Sequence, residues 1–139
     1  MVEKTTILKR FDEMCKNTLM ETLEIKYIDL GDDYLVATMP VNSRVHQPYG
    51  LLHGGATAAL AESVGSMASS FFIDNSKYIV KGIELTINHI KSIKEGVVTA
   101  TAKSIHKGRT THLWEVRVVN ENNELISISK LTNIVLEKK

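Results

Sequence analysis

His46–Ser66 reads HQPYGLLHGGATAALAESVGS, and the fold turns on its second half. A loop carrying Pro48 and Gly50 runs into Gly54-Gly55. The residues that follow are small or apolar, with one carboxylate, Glu62. At about 100° per residue, Leu60, Val64, Met67 and Phe71 share one face. Ala58, Glu62, Gly65, Ser66 and Ser69 share the opposite one. The spacing predicts a helix over 54–73 with a core-packing side and a second side of small residues bearing one acid. An acid among Ala, Gly and Ser needs a reason, because unpaired buried charge is expensive. Two bland readings stand beside it: Gly54-Gly55 as a flexible helix start, and Glu62 as an exposed helix former.

Around that helix the chain reads as strands. Residues 5–17 carry Ile7, Leu8, Phe11 and Met14 at helical spacing, giving a short N-terminal helix. Strands are expected near 23–30 and 34–40, joined at Gly31-Asp32-Asp33, and 41–52 reads as loop. Four further runs follow, 78–93, 96–106, 110–119 and 124–136, with short turns that predict an antiparallel meander. In the first of them Ile79, Ile83, Leu85, Ile87 and Ile93 are expected to share a face, opposite Glu84, Thr86 and Asn88. Five or six strands with one apolar face and one long helix have a natural solution, a sheet curled around the helix. That is an α+β architecture of one domain over residues 1–139.

Composition narrows the function. The 139 residues are 43% hydrophobic and 24% charged, with a formal net charge of +1. That is the balance of a soluble globular chain, and it points to neither a nucleic-acid nor a membrane partner. No secretory signal or bilayer-spanning run is visible, and Cys15 is the only cysteine. A cytoplasmic location is therefore expected, with Cys15 as packing filler. No His, Cys, Asp or Glu set has metal-ligand spacing, so neither metal nor cofactor is expected. Nucleotide-loop glycine patterns and a GxSxG elbow are also absent. His89 falls on the apolar face of its strand, where a satisfied core histidine is the plain reading. His46, His106 and His112 read as surface or strand-end residues.

The helix start offers unsatisfied N–H groups and partial positive charge, suited to a carbonyl oxygen that becomes an oxyanion. Gly54 and Gly55 let a ligand approach with no Cβ in the way. Glu62 has the chemistry of a general base toward water or of a nucleophile toward an acyl carbon. Ser66, four residues on, is placed to orient the carboxylate or a water. Gln47 and His53 flank the helix start as hydrogen-bonding groups. At about 1.5 Å rise per residue, Gly54 and Glu62 lie roughly 12 Å apart along one axis. One carbonyl cannot meet both. If both serve it, they come from two copies of the helix running antiparallel across a two-fold axis. Lys107-Gly108-Arg109 reads either as a plain hairpin tip or as a basic turn that clamps phosphate.

The stretch QPYGLLHGGATAALAESVGS resembles the signature of hotdog-fold acyl-CoA thioesterases. The branch is the phenylacetate-pathway type, which includes 1,4-dihydroxy-2-naphthoyl-CoA thioesterases and enterobactin-pathway proofreading thioesterases. VKGIELTINHIKSIKEG and HKGRTTHLWEVRV are similar to the same branch, so the likeness runs over about residues 23–136. It implies hydrolysis of an aromatic or medium-chain acyl-CoA, with coenzyme A as part of the substrate and no separate cofactor. By the resemblance Glu62 is the catalytic carboxylate. The Gly54 or Gly55 amide, with His53 and Gln47 nearby, polarises the thioester carbonyl held by the partner subunit. Ser66 supports the water or the carboxylate, His89 and Met67 line the acyl pocket, and Gly82 lies beside the pantetheine arm. Lys107, Gly108, Arg109 and Thr110 meet the nucleotide phosphates, although this turn departs from the Gly-Ser-Arg-like turns of close members. Homotetramers built as dimers of dimers are implied, with an acyl- or aryl-carrier protein as another source of substrate. Two other outcomes stay open on the same fold: a non-hydrolytic acyl-CoA or acyl-carrier-protein binder, and a hydroxyacyl thioester dehydratase.

Overall fold

In a computed structural model that describes residues 2–139, two short helices come first, α1 (Lys4–Met14) and α2 (Leu19–Thr22). Strands β1 (Lys26–Leu30) and β2 (Tyr34–Val41) follow, then a 3-10 turn at Ser43–Val45 and the long helix α3 (Gly54–Phe71). The chain ends in β3 (Tyr78–His89), β4 (Gly96–Lys107), β5 (Thr111–Val119) and β6 (Leu125–Glu137). The strands make one antiparallel six-stranded sheet in the order β1-β2-β4-β5-β6-β3. This is the expected α+β hotdog architecture, with α3 packed against β2 through β6. No helix among the described residues is long and apolar enough to cross a membrane.

Alternation builds the core. Leu35, Ala37, Met39 and Val41 of β2 turn inward, as do Val98, Ala100 and Ala102 of β4 and Trp114, Val116 and Val118 of β5. They close over Leu60, Ala61, Val64, Met67 and Ala68 of α3. Each large side chain buried this way contributes about 1.5–3 kcal/mol. Cys15 is buried among them, as packing filler should be.

Four expectations need correction. The N-terminal helix stops at Met14, and α2 occupies residues just before the place where a strand was expected to begin at 23. Asn17 and Glu24, both at left-handed φ (60° and 56°), bracket that extra turn, so β1 starts only at Lys26. The meander holds for β4-β5-β6 alone, because β3 pairs with β6 and not with β4. The Ile90 and Lys91 N–H groups both donate to the Ile126 carbonyl, and residues 90–95 then cross to β4. Six extended residues reach roughly 20 Å, enough to pass the end of a curled sheet.

The third correction concerns the face of β3. Its pairing with β6 slips between Gly82 and Glu84, so Ile83 is a bulged residue and the alternation reverses there. Val80 and Gly82 before the bulge face the same way as Leu85, Ile87 and His89 after it, opposite the buried side chains of Asn133, Leu131, Ser129 and Ser127. Ile79 and Ile83 are left exposed on the outside. The fourth concerns α3, which is enclosed on more than one side. Gly65 and Ser69 are buried against the sheet rather than sharing an open face with Glu62, while Phe71 is partly exposed beside Phe11.

Candidate active site

The start of α3 is held by its own loop. Gln47 closes the turn 47–51: its N–H donates to the Leu51 carbonyl (2.8 Å), its carbonyl accepts from Gly50, and its side-chain oxygen accepts from the Tyr49 N–H. Gly50 sits at φ 77°, the left-handed region that glycine enters freely. The turn leaves Tyr49 87% exposed. His53 is the N-cap of α3. Its Nδ1 accepts from the Gly55 N–H at 2.7 Å, and its carbonyl accepts from both Ala56 and Thr57. With Nδ1 an acceptor, a neutral His53 ring carries its proton on Nε2. The Gly54 N–H is left with no acceptor among the described residues. Of the two candidate amides, Gly55 is engaged and Gly54 is open. Gly54 also packs against His89, where an added Cβ would lie 2.8 Å from the ring Nε2.

Glu62 stands elsewhere. It is exposed, and its carboxyl carbon lies 3.4 Å from where a Cβ on Gly82 would sit, so the bare strand backbone backs the carboxylate. Glu62, Ser66 and Met67 line one groove of about 500 Å³. Gln47, Gly54 and His89 line a separate recess of about 230 Å³ at the helix start. His53 and Gly55 open onto a third hollow, beside Leu19 and Leu23. The helix between Gly54 and Glu62 is unbroken, so their separation of about 12 Å stands. Ser66 does not reach Glu62: its hydroxyl donates to Asn133 Oδ1 at 3.5 Å.

The end of α3 is closed by a buried polar set. Trp114 Nε1 donates to Ser69 Oγ at 2.7 Å, and Asn133 Nδ2 donates to the same oxygen at 2.8 Å. Both lone pairs being used, the Ser69 hydroxyl donates to His112 Nδ1 at 2.8 Å, and His112 carries its proton on Nε2. Asn133 Nδ2 also donates to the Gly65 carbonyl at 3.2 Å. Burial pushes the His112 pKa below its usual value; Lys107 and His106 add to this, against a hydrogen bond with the Gly108 backbone. Of the two readings of His112, surface or strand-end residue, the first is corrected: it stands second in β5 but is only 3% exposed. The signal was its phase, in step with Trp114, Val116 and Val118. Spacing gives no sign of Ser69, Asn133 and Trp114 as its polar partners, because the pairing is non-local.

In the basic turn, Lys107 Nζ donates to the Asp32 carbonyl at 2.7 Å and lies 3.7 Å from the Phe72 ring centre. The Gly108 N–H donates to Thr111, and the Thr110 carbonyl accepts from Val135. Arg109 is exposed and pairs with no group among the described residues. It borders a hollow of about 400 Å³ shared with Phe72, Asp74 and His112. Of the four turn residues, Arg109 is the one whose charge faces outward unengaged. The described residues hold no cluster of metal-binding side chains.

A family model described as the thioesterase superfamily matches residues 49–127. A putative esterase of Pseudomonas aeruginosa is 44% identical over 133 residues, covering 96% of this chain and 92% of that one. The 1,4-dihydroxy-2-naphthoyl-CoA hydrolase of Escherichia coli is 39% identical over 129 residues, covering 93% and 94%. The crystal structure of a mutant thioesterase from Pseudomonas aeruginosa superposes with a TM-score of 0.92 at 43% identity, covering 94% of each chain.

Proposed function

The chain belongs to the thioesterase superfamily and is a thioester hydrolase, and from that premise we propose that it cleaves an acyl-CoA with an aromatic or medium-chain acyl group, using sites shared between two subunits. The observation that carries the shared site is the open Gly54 N–H, about 12 Å along α3 from the exposed Glu62. In this reading the thioester oxygen of one acyl-CoA lies on the Gly54 amide of one subunit. Gln47 and His89 stand beside it. Glu62 of the other subunit acts at the carbonyl carbon.

As a base, Glu62 takes a proton from water as the water oxygen bonds to that carbon. The charge moves to the carbonyl oxygen and is stabilised by the Gly54 N–H and the positive end of the helix. Collapse expels the thiolate of coenzyme A, which takes the proton back from Glu62. As a nucleophile, the carboxylate bonds to the carbon and the C–S bond breaks to release the thiolate. Water then opens the resulting anhydride to the free acid, the carboxylate is restored, and the thiolate takes up the remaining proton. The thiolate leaves readily, so the scheme needs neither metal nor cofactor.

The free edge of β3 supports the assembly. Ile83 is 58% exposed there, and Ile79, nearer the start of the strand, 36%. A two-fold axis that pairs this edge with its mate runs the two α3 helices antiparallel. The homotetramer, as a dimer of such dimers, and a cytoplasmic location belong to the same reading. Arg109 is assigned to the nucleotide phosphates.

Mixing subunits tests the sharing. Glu62→Gln and Gly54→Pro homodimers should each be inactive toward benzoyl- and octanoyl-CoA. A mixed dimer carries one intact site, so unfolding and refolding the two together should restore on the order of a quarter of wild-type activity. Wild-type turnover by Glu62→Gln alone overturns the mechanism, and no recovery on mixing overturns the sharing.

A further inference from the structure

The groove holding Glu62 has a second wall that the scheme above does not use. Besides α3, it is lined by Met14, Leu19 and Met20 from the α1–α2 segment and by Leu85 of β3. The segment is fixed in place. Phe11 of α1 is buried and meets the rings of Tyr27 and Phe71 edge-on, at 5.6 and 6.1 Å. Asn17 turns the chain back through its left-handed φ, and its N–H is held by the Glu21 carboxylate. The Thr18 hydroxyl lies 3.7 Å from Met20 Sδ. Even so, Met14 and Leu19 remain 60% and 55% exposed where they border the groove.

The lining states what fits. Glu62 is the only ionisable residue in it. The Ser63 hydroxyl donates to the Ala59 carbonyl and that of Ser66 to Asn133, so neither proton faces the groove. Three thioethers, Met14, Met20 and Met67, make the wall soft and adaptable in shape. From Glu62 the groove runs along α3 as far as Ser70, roughly 12 Å, the length of about eight to ten extended carbons. Its volume of about 500 Å³ is in the range of small-molecule sites.

With the acyl tail lying beside Glu62 as the proposed function has it, we propose that the α1–α2 segment, through Met14, Leu19 and Met20, sets the size of tail this groove admits. The inference rests on Glu62 acting at the carbonyl carbon: a tail leaving that carbon has the groove directly before it. Met14, Leu19 and Met20 are then specificity residues supplied from outside the helix and sheet. Their side chains are flexible, so the groove takes tails of several shapes and discriminates mainly by length.

The test is a set of kcat/KM values for butyryl-, benzoyl-, octanoyl- and dodecanoyl-CoA with the full chain. Leu19→Trp and Met20→Trp fill the groove and should lower the dodecanoyl-to-butyryl ratio by about tenfold or more. Met20→Ala should raise that ratio, and Met20→Leu should bring it within about twofold of wild type. Leu19 is mostly exposed, so its replacement leaves folding intact, which thermal melting verifies. An equal fall for all four thioesters, or an unchanged ratio, overturns the proposal. So does a change of oligomeric state without a change of ratio, which would mean a second copy of the chain fills the groove. Failure of the underlying mechanism reads differently: Glu62→Gln then turns over every thioester, whatever the ratios do.

Discussion

At its first turn α3 leaves the Gly54 N–H without an acceptor among the described residues, whereas in its last turn the Ser69 hydroxyl is saturated by His112, Trp114 and Asn133. The first group is at a ligand-accessible recess and the second is fully buried. An open donor at a surface loses little, since water can satisfy it until a ligand does. An open donor in the core would forfeit its whole solvation. The same helix therefore divides its labour. Its start keeps an amide open, which the proposed mechanism uses, and its end commits the Ser69 hydroxyl to fixing the register of helix against sheet. Chemistry and stability should be separable by substitution at the two ends.

The largest effect is expected at the open end. Gly54 is the first residue of α3, where proline is well accepted, and His53 before it is already extended at φ −67°, ψ 128°. Gly54→Pro removes the N–H while leaving the helix. Gly54→Ala keeps the N–H, and both substitutions place a Cβ against the His89 ring. Turnover by the proline variant should fall about 10²–10³-fold below that of the alanine variant, the usual loss for one oxyanion donor. Melting temperatures of the two should stay close together. Equal kcat in the pair would remove Gly54 from the mechanism.

At the closed end the effect moves from rate to stability. Ser69→Ala strands Trp114 Nε1, one N–H of Asn133 and His112 Nδ1 at once. Each stranded buried group costs about 1–3 kcal/mol, so urea unfolding should show a loss of roughly 3 kcal/mol or more. A loss under about 1 kcal/mol would mean that the Ser69 set does not hold the helix to the sheet.

The contrast between the ends also marks how far the sequence could be read. The long helix and the inward phases of β2, β4 and β5 were legible because each is a local period carried over many residues. Glu62 stood out as the one charge in its helix. The partner of β3 was not legible, since a short turn suggests a hairpin and only the curled sheet decides otherwise. One bulged residue, Ile83, inverted the expected face of its strand. That the Gly55 N–H is engaged and the Gly54 N–H open depends on where the His53 ring points, which no spacing encodes. The α2 turn is four residues long and framed by two non-glycine left-handed residues; propensity favours such a conformation for Asn17 but gives no sign of it at Glu24.

The smallest effect concerns pH at the closed end. His112 must accept a proton from Ser69 through Nδ1, so a charged ring would bring two donors face to face. Burial accordingly holds its pKa below the ordinary 6.5. The sign follows from linkage. Below pH 6.5 the unfolded chain binds a proton at this position that the folded chain refuses, so its protons outnumber those of the fold and stability drops as pH falls. The contribution of His112 is fully present above 6.5 and is lost progressively from there down toward its lowered folded value. One proton sets the limit, about 1.4 kcal/mol per pH unit. His112→Gln does not titrate, so its urea midpoint should fall less steeply between pH 6.5 and 5 than that of the wild type, even if it starts lower. Parallel slopes would show that the folded protein accommodates a charged His112, and with it that the Ser69 set tolerates a reversed hydroxyl. The end of α3 would then be as adaptable as its start.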